Sequence, residues 1–403
     1  MRRLVALDIP PSAAFVEALR RCHDAGDAVL PLDDRLPDPA RRALLDALAP
    51  SAVVDGLGEE HPLAGGRPVE AGDAVVLATS GSTGTPKGIV LTHEAVAASA
   101  AAVNARLEVD PDADRWLSCL PLAHVGGLSV VLRALAAGVP LEIHRRFEAP
   151  ATMAAARRGA TLVSLVPTAL RRLGEEAAAF RRIVLGGSAM PGRLPANTLA
   201  TYGMTETGSG VVYDGRPLEG VEIRLAPTRP TPADGARPTS ADPTGGTAGE
   251  IHLRGPMLLR AYRDGRDPKN AEGWLPTGDV GSLAPDGRLV VHGRADELVV
   301  TGGENVWPAA VEAVLAGVAG VAEVAVAGLP DPEWGQRVVA FIVPAPTGPP
   351  ALEDLRAPVR DRLGPWAAPK QLVLAETLPR TPLGKIRRRE LPRLAPGSPS
   401  VGR

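Results

Sequence analysis

A polar, glycine-rich loop that directly follows an apolar run is the feature that most constrains the fold of this 403-residue chain. Residues 74–78 are typical of a buried strand, and the loop after them reads Thr79-Ser-Gly-Ser-Thr-Gly-Thr-Pro-Lys-Gly88. Small residues let a backbone approach an anion closely, and successive N–H groups form a concave site for phosphate oxygens. The loop hydroxyls add donors, and Lys87 adds a positive charge. The loop therefore predicts binding of nucleotide phosphates at the end of a strand.

The loop does not match the P-loop motif. That motif needs a Gly-Lys pair followed by Ser or Thr, whose hydroxyl holds magnesium. In this chain Pro86 precedes Lys87, and Gly88 follows it. The sequence therefore indicates nucleotide binding and excludes a Walker-type kinase or ATPase.

Length and composition indicate a soluble cytoplasmic protein of two or three domains. The chain is 45% hydrophobic and 22% charged, and its net charge of -2 gives no broad electrostatic footprint for nucleic acid. Its two cysteines make no disulfide framework and fit a reducing cytosol. The longest uncharged apolar stretch, residues 117–132, is shorter than the roughly 18 residues of a membrane span. The oligomeric state is left open, a homodimer included.

The order of apolar runs predicts the α/β class. Between residues 74 and 202, runs of strand length alternate with longer helical patterns, which indicates a mainly parallel sheet covered by helices. Such sheets bind ligands at loops beyond the carboxyl ends of their strands, where the 79–88 loop would lie. We therefore expect this part of the chain to hold the nucleotide.

The pattern also predicts the domain organisation. Short strands between Gly, Pro and Asp turns indicate a small β subdomain after residue 220, within a large N-terminal domain of residues 1–292. Inside it, residues 226–249 are rich in Pro, Thr, Ala, Gly and Asp and are interpreted as a loose surface insertion. Residues 293–296 connect to a small α+β domain of residues 297–394, and 395–403 form a disordered tail.

Four further polar, glycine-containing segments follow the loop along the chain. They are Tyr202-Gly-Met-Thr-Glu-Thr207, Trp274-Leu-Pro-Thr-Gly-Asp279, Gly293-Arg-Ala-Asp296 with Thr301-Gly-Gly-Glu-Asn305, and Pro379-Arg-Thr-Pro-Leu-Gly-Lys385. With the loop, they resemble the adenylate-forming (AMP-binding) superfamily of acyl-CoA ligases, peptide-synthetase adenylation domains and luciferases. The resemblance covers residues 74–392. It implies an enzyme that uses ATP and Mg²⁺ to activate a carboxylic acid and then transfers the acyl group to CoA.

In that family the loop holds the β- and γ-phosphates of ATP and clamps the leaving pyrophosphate. Attack of a carboxylate on the α-phosphorus brings like charges together, so the site must neutralise charge and fix an in-line geometry. The resemblance assigns this role to Thr79, Ser80, Gly81, Ser82, Thr83, Gly84, Thr85 and Lys87. For Lys87, direct phosphate contact and stabilisation of the loop remain two open alternatives.

The second motif carries nucleotide and metal binding in the family. The resemblance implies that Tyr202, next to Gly203, stacks on adenine, that Thr205 contacts phosphate and that Glu206 holds magnesium. A carboxylate suits a hard cation that also takes phosphate oxygens. The alternative for Glu206 is a carboxylate at a helix N-terminus. The segment Gly186-Gly187-Ser188 resembles the one that passes the adenine and the acyl group.

The third and fourth motifs place a carboxylate and a guanidinium near the ribose. The resemblance implies that Asp279 accepts both ribose hydroxyls, for which its two oxygens are suited. Arg294 matches the arginine that reaches the same side of the nucleotide. Without the motif, Asp279 after a glycine would be a turn residue.

The last residues implied by the resemblance belong to domain alternation. Lys385 inserts between the substrate carboxylate and the α-phosphate during adenylation, as an ammonium that bridges two anionic oxygens. Asp296 matches the hinge about which the small domain then rotates. Rotation removes Lys385, and Gly302 and Gly303 line the passage for the pantetheine arm of CoA.

The choice of acid is indicated by one more segment. Pro121-Leu-Ala-His-Val-Gly-Gly-Leu-Ser129 resembles the segment of acyl and aryl ligases in which the histidine, here His124, caps or gates the acyl pocket. A histidine that caps the entry of a helix is the alternative, and both stay open. The runs around it at 141–147, 163–169 and 183–191, and Gly215-Arg-Pro-Leu218, look most like o-succinylbenzoate–CoA ligases of menaquinone synthesis.

Three functional hypotheses follow from these motifs. The first is an acid–CoA ligase acting on o-succinylbenzoate. The second keeps adenylation but loads another aryl or fatty acid, or transfers it to a carrier protein. The third is a catalytically dead binding relative, against which the presence of Lys385, Glu206 and Asp279 speaks.

A dianionic acid also needs a cationic partner for its second carboxylate. Arg133 lies about two and a half helical turns from His124 and would face away from it, so this partner is not assigned.

Overall fold

We describe the fold from a computed structural model of the chain, which describes residues 2–80, 86–187, 194–227, 248–380 and 386–395. It divides into two compact units: unit 1 comprises Met1–Ile223 and Leu253–Leu275, and unit 2 comprises Arg224–His252 and Pro276–Arg403. The predicted insertion and tail fall almost entirely outside the described residues. The connection at residues 293–296 lies inside unit 2, so the boundary after residue 292 stays a prediction.

Eight α-helices lie in the described part of the chain: α1 Ala13–Asp24, α2 Asp38–Leu48, α3 His93–Leu107, α4 Val125–Ala137, α5 Ala149–Arg157, α6 Pro167–Leu173, α7 Pro308–Leu315 and α8 Leu352–Leu363. Local signals set several of their ends. The Thr92 hydroxyl caps α3 by accepting the Ala95 N–H at 3.1 Å. Helix α4 ends at Gly138, which has a φ of 68°. Within the described ranges, no helix combines the length and apolar character that a membrane crossing requires.

The strands of the first half are β1 Leu4–Leu7, β2 Ala28–Pro31, β3 Ala52–Val54, β4 Glu60–Pro62, β5 Asp73–Ser80, β6 Pro86–Thr92, β7 Trp116–Ser118, β8 Leu141–Ile143, β9 Leu162–Leu165, β10 Arg182–Leu185, β11 Thr198–Met204, β12 Ser209–Tyr213 and β13 Arg216–Pro217. Those that follow are β14 Glu222–Ala226, β15 Gly249–Arg254, β16 Ala261–Tyr262, β17 Leu275–Leu283, β18 Leu289–Arg294, β19 Val299–Thr301, β20 Glu304–Val306, β21 Val321–Asp331, β22 Gly335–Pro344 and β23 Gln371–Leu374.

Unit 1 contains two seven-stranded sheets rather than the one sheet that the sequence pattern suggested. The first has the order β16-β6-β5-β2-β1-β3-β4, and the second β13-β12-β11-β10-β9-β7-β8. Strands β1, β2, β3 and β5 are parallel in the first sheet, and β7 to β11 are parallel in the second. The α/β class with helix-covered parallel strands is confirmed.

The chain ahead of the glycine loop builds more than half of the first sheet. Strands β1 to β4 all precede residue 63, and α2 packs Leu44 and Leu48 onto a core that contains Leu4, Leu30 and Val76. Burial of such side chains contributes about 1.5–3 kcal/mol each. The residues ahead of the loop therefore contribute a structured part of unit 1.

Unit 2 contains a four-stranded sheet with the order β14-β15-β17-β18 and a five-stranded sheet in which β20-β19-β22-β21 are neighbours and β23 pairs with β22. Helices α7 and α8 cover one face of the second sheet, with Val311 and Leu355 both fully buried. The α+β character predicted for the C-terminal residues is thus present.

A buried ion pair in unit 1 gives a stability prediction. Asp73 is 1% exposed, and Arg260 donates from Nε and Nη2 to its two oxygens at 2.8 and 3.0 Å. We expect Arg260→Met to lower the free energy of unfolding by about 3 kcal/mol, because it leaves a buried carboxylate without its cation. Urea unfolding measures the change.

The matched control is Arg157→Met. Arg157 lies 4.0 Å from Glu176, and both side chains are more than 60% exposed. Exposed pairs of this kind are worth at most about 1 kcal/mol. Equal unfolding free energies for the two variants would contradict the importance of the Asp73–Arg260 pair.

Candidate active site

The predicted phosphate loop connects two antiparallel strands. Strand β5 ends at Ser80 and β6 begins at Pro86, and these two residues pair across the hairpin, as Thr79 pairs with Lys87. The tip of the loop, Gly81, Ser82, Thr83, Gly84 and Thr85, lies outside the described residues. A P-loop instead joins a strand to a helix. The hairpin therefore agrees with the exclusion of a Walker-type site.

The second predicted glycine segment lies at the carboxyl end of β10. Gly186 and Gly187 directly follow this strand, whereas Ser188 lies outside the described residues. A Cβ on Gly186 would come 2.7 Å from the hydroxyl oxygen of Thr201 on the neighbouring strand β11. Gly187 has a φ of 92°, which favours glycine. Both positions therefore require glycine for structural reasons.

The Tyr-Gly-Met-Thr-Glu motif forms the end of β11 and a tight turn. Tyr202 and Gly203 lie on the strand, and Thr205 and Glu206 lie in a one-turn 3₁₀-helix, Thr205–Thr207. The fully buried Thr207 accepts the Met204 N–H at 2.9 Å. A Cβ on Gly203 would come 2.2 Å from the Ser209 carbonyl oxygen. The hydrogen bond to Thr207 and the close packing at Gly203 therefore both constrain the turn.

Tyr262 joins this turn to the phosphate hairpin, and the sequence reasoning missed it. Its hydroxyl donates to the Glu206 carboxylate at 3.3 Å, and its ring centroid lies 5.7 Å from the Lys87 ammonium. Strand β16, which carries Tyr262, pairs with β6, and the Leu259 N–H donates to the Glu206 carbonyl at 2.7 Å. Two predicted motifs that are more than a hundred residues apart therefore meet.

The protonation of Tyr262 suits this role. Burial raises the pKa of Tyr262 to about 12, and the charge of Glu206 adds to the rise. The phenol therefore stays a hydrogen-bond donor and holds one oxygen of Glu206. A single carboxylate is the usual protein contribution to Mg²⁺ bound to substrate phosphates, so Glu206 fits the predicted metal role.

His124 is the residue before α4, but its side chain does not cap that helix. No side-chain capping bond is formed; the His124 carbonyl accepts the N–H groups of Gly127 and Leu128 at 3.0 Å. Its Nε2 atom lies 3.4 Å from a carboxylate oxygen of Asp33. His124 is thus the N-cap residue of α4 without a side-chain capping bond, and the acyl-pocket role stays a prediction.

Arg133 is buried in unit 1 and engaged there. It is 2% exposed, its Nη2 atom donates to the Ser209 hydroxyl at 2.7 Å, and its guanidinium lies 6.0 Å from the ring centroid of Trp116. The cationic partner of a second substrate carboxylate therefore stays unassigned.

In unit 2, the two predicted ribose residues lie opposite each other. Asp279 on β17 pairs with Arg294 at the end of β18, with 3.4 Å between carboxylate and guanidinium. Burial alone would lower the pKa of Arg294, but Asp279 and Asp296 raise it. A Cβ on Gly278 would come 2.9 Å from that guanidinium. The Gly-Asp pair thus leaves room for the arginine.

The predicted hinge residue is held by two arginines. The Asp296 carboxylate lies 3.6 Å from Nε of Arg294 and accepts a hydrogen bond from Nη2 of Arg389 at 2.7 Å. Arg294 comes before Asp296 in the chain, and Arg389 comes 93 residues after it. The hinge role itself stays a prediction.

Gly302 and Gly303 form the turn between β19 and β20, with φ values of 59° and 83°. The Gly302 N–H donates to the Trp334 carbonyl at 2.9 Å, and a Cβ on Gly302 would come 2.7 Å from the Trp334 ring. Turn geometry and this packing both require glycine, whereas the pantetheine passage stays a prediction.

Lys385 lies outside the described residues, but its flanks are described. Arg380 and Ile386 form an antiparallel bridge, and the Arg387 N–H donates to the Pro379 carbonyl at 2.8 Å. The loop that carries the lysine is thus closed at its base.

An arginine whose side chain is only 15% exposed fixes the chain just after Lys385. Arg388 pairs with Glu312, donates to Glu297 at 3.0 Å and donates to the Val326 carbonyl at 2.7 Å. The Val326 N–H donates to the same Glu312 at 2.7 Å. These contacts tie the segment after the lysine to α7 and β21.

The motifs in both units define an AMP-binding enzyme. The model of the AMP-binding enzyme family matches residues 60–263, and that of its C-terminal domain matches residues 310–385. The chain belongs to the AMP-binding enzyme family.

Within the AMP-binding enzyme family, the chain is similar to ligases of one acid. A probable 2-succinylbenzoate–CoA ligase of Mycobacterium tuberculosis is 35% identical over 382 residues, which cover 88% of this chain and 94% of the relative. A 2-succinylbenzoate–CoA ligase of Bacillus cereus is 34% identical over 348 residues, 79% of this chain and 69% of the relative.

A solved structure shows the same likeness. The o-succinylbenzoate CoA synthetase of Bacillus subtilis, in complex with its acyl-adenylate intermediate, has a TM-score of 0.82 and 28% identity, covering 97% of this chain and 88% of that one. The same synthetase, in complex with ATP and magnesium ion, has a TM-score of 0.80.

The Tyr262–Glu206 contact gives a prediction for metal binding. We expect Tyr262→Phe to raise the Mg²⁺ concentration needed for half-maximal ATP binding about tenfold, because the carboxylate loses the donor that orients it. Calorimetric titration of ATP at several Mg²⁺ concentrations measures the shift.

Tyr213→Phe is the matched control. Tyr213 is fully buried in unit 1, and among the described residues its hydroxyl has no hydrogen-bond partner. Its Mg²⁺ requirement should equal that of the unaltered chain. An equal shift in both variants would contradict the role of the Tyr262 hydroxyl in orienting Glu206.

Proposed function

We propose that the chain is an ATP- and Mg²⁺-dependent acid–CoA ligase that converts o-succinylbenzoate to o-succinylbenzoyl-CoA, a step of menaquinone synthesis. The observation that carries the reaction class is the meeting of the phosphate hairpin and Glu206 at Tyr262. The observation that carries the acid is the set of relatives named as ligases of this acid.

In the first half-reaction, a carboxylate oxygen of the acid attacks the α-phosphorus of ATP. The new bond joins oxygen to phosphorus, and the bond to pyrophosphate breaks. The hairpin at residues 79–88 holds the leaving pyrophosphate through backbone N–H groups and hydroxyls. Glu206, oriented by Tyr262, would hold Mg²⁺ against the phosphates, and bound Mg²⁺ supplies charge neutralisation.

Lys385 assists this step from unit 2. Its ammonium bridges the attacking carboxylate and the α-phosphate and so reduces their repulsion. Asp279 and Arg294 bind the ribose side of the nucleotide. The bridge between Arg380 and Ile386 supports the role of Lys385, because it closes the loop that carries the lysine.

In the second half-reaction, the CoA thiolate attacks the acyl carbonyl carbon. A carbon–sulfur bond forms, and AMP leaves with the oxygen that the acid supplied. Rotation at Asp296 removes Lys385 before this step, and Gly302 and Gly303 admit the pantetheine arm. The substrates are thus ATP, CoA and a small carboxylic acid; a cytoplasmic location stays the prediction from the sequence.

An acid panel tests the substrate. The purified protein, incubated with ATP, Mg²⁺ and CoA, should form a thioester with o-succinylbenzoate at least about tenfold faster, by kcat/KM, than with benzoate or fatty acids. Mass spectrometry of the CoA products measures this ratio. A thioester from another acid alone would overturn the specific assignment while leaving the ligase class intact.

Lys385 is expected to act in one half-reaction only. Lys385→Ala should lower the rate of acid-dependent pyrophosphate release about 100-fold or more, because an interaction made with the reacting groups is lost. Thioester formation from supplied acyl-adenylate and CoA should stay within about twofold.

Arg387→Ala is the control for that variant. Arg387 is an exposed neighbour whose guanidinium pairs with Glu390 at 3.0 Å, and both half-reactions should be unchanged. Equal losses in both half-reactions of Lys385→Ala would contradict the proposed division of labour.

A further inference from the structure

Asp33 is a buried carboxylate that none of the family motifs contains. It follows β2 near the carboxyl end of a parallel strand and is 8% exposed. Arg35 binds both of its oxygens, with Nε 2.8 Å from Oδ1 and Nη2 2.6 Å from Oδ2. The second of these oxygens also faces Nε2 of His124 at 3.4 Å.

The contact between Asp33 and His124 is longer than an ordinary hydrogen bond. The Nε2 atom of His124 is buried, and among the described residues it has no partner in good hydrogen-bond geometry. The Asp33 carboxylate is therefore the group that this nitrogen faces. Hydrogen bonds of this kind are often long without substrate and shorten in the complex.

Asp33 is an anion in this position. Burial would raise the pKa of Asp33, but the hydrogen bonds from Arg35 and the proximity of the His124 ring outweigh burial and hold the pKa well below the usual range of aspartate. A nitrogen lone pair facing an anion is repelled, so Nε2 of His124 carries hydrogen. In the neutral ring, Nδ1 is then the acceptor.

The two side chains that face the Asp33 carboxylate, Arg35 and His124, differ in exposure. The Arg35 side chain is 52% exposed, and its backbone N–H also donates to Asp33 at 3.0 Å. The imidazole of His124 is only 23% exposed and does not cap α4. Asp33 and Arg35 also line a small cavity with Pro121, Leu122 and Ala123, the residues that lead to His124.

We propose that Asp33 is a positioning residue that fixes the orientation and tautomer of the His124 ring beside the acyl group. This inference rests on the proposed function and on the role of His124 at the acyl pocket that the sequence predicts. A carboxylate behind a histidine commonly sets which ring nitrogen is protonated and where the ring points. The N-terminal segment of unit 1 thereby contributes to the recognition of the acid.

The test uses Asp33→Asn, which removes the charge and keeps the shape. The KM of the acid should rise about tenfold, the scale of a lost hydrogen bond to a charged group. The KM of ATP should stay within about twofold, and thermal unfolding checks the fold. Asp55→Asn is the control, because Asp55 forms an Asp–His pair with His61 at 2.8 Å on an exposed loop.

A double-mutant cycle separates positioning from a general structural role. In a His124→Ala background, Asp33→Asn should change the KM of the acid less than about twofold, because the ring that Asp33 orients is gone. A tenfold rise in both backgrounds, or equal rises in the KM of acid and ATP, would overturn the proposal. A wild-type protein that activates no acid refutes the proposed function instead, before any variant is made.

A measurement on the wild-type protein keeps the proposal testable even if Asp33→Asn does not fold. With ¹⁵N-labelled histidine, the His124 resonances are identified by their loss in His124→Ala. The neutral ring should be protonated at Nε2. A neutral ring protonated at Nδ1 would overturn the proposal.

Discussion

The contact between β16 and Glu206 is the constraint on which the nucleotide site depends. Glu206 follows β11 of the second sheet, whereas β16 is an edge strand of the first. The Leu259 N–H and the Tyr262 hydroxyl bind the backbone and the carboxylate of Glu206, respectively. Two sheets that are built from separate stretches of chain are thereby fixed at the point where phosphate and metal would bind.

The local parts of the site were predictable from the sequence because short-range sterics determine them. A side chain at Gly203 would clash with the backbone, and one at Gly302 would clash with the Trp334 ring, whereas Gly187 has a positive φ. A sequence motif shows each of these requirements directly, as a glycine. Tyr262 and Asp33 were not predictable in this way. They act through contacts 56 and 91 residues away in the chain, and no local pattern marks a side chain for such a partner. The sequence did contain one usable signal, since Asp33 follows a buried strand, the position where parallel sheets bind ligands.

Arginine has a consistent structural role in both units. Asp73 and Asp114 are buried carboxylates, Glu312 is only 14% exposed at its side chain, and each is bound by an arginine. Arg388 shows this role most clearly, although it lies in a run of basic residues directly after Lys385. The guanidinium binds two glutamates and a carbonyl with fixed geometry, which a lysine ammonium does not reproduce.

The two ion pairs of Asp296 have a consequence for domain alternation. One carboxylate binds an arginine before residue 296 and another arginine about ninety residues behind it. If the backbone turns at this residue, the carboxylate cannot follow both partners, so one pair must break as the other persists. Both pairs are partly exposed and therefore individually weak. If Asp296 is the hinge, its two ion pairs would favour one orientation of the chain on either side of it, and breaking one of them would cost little.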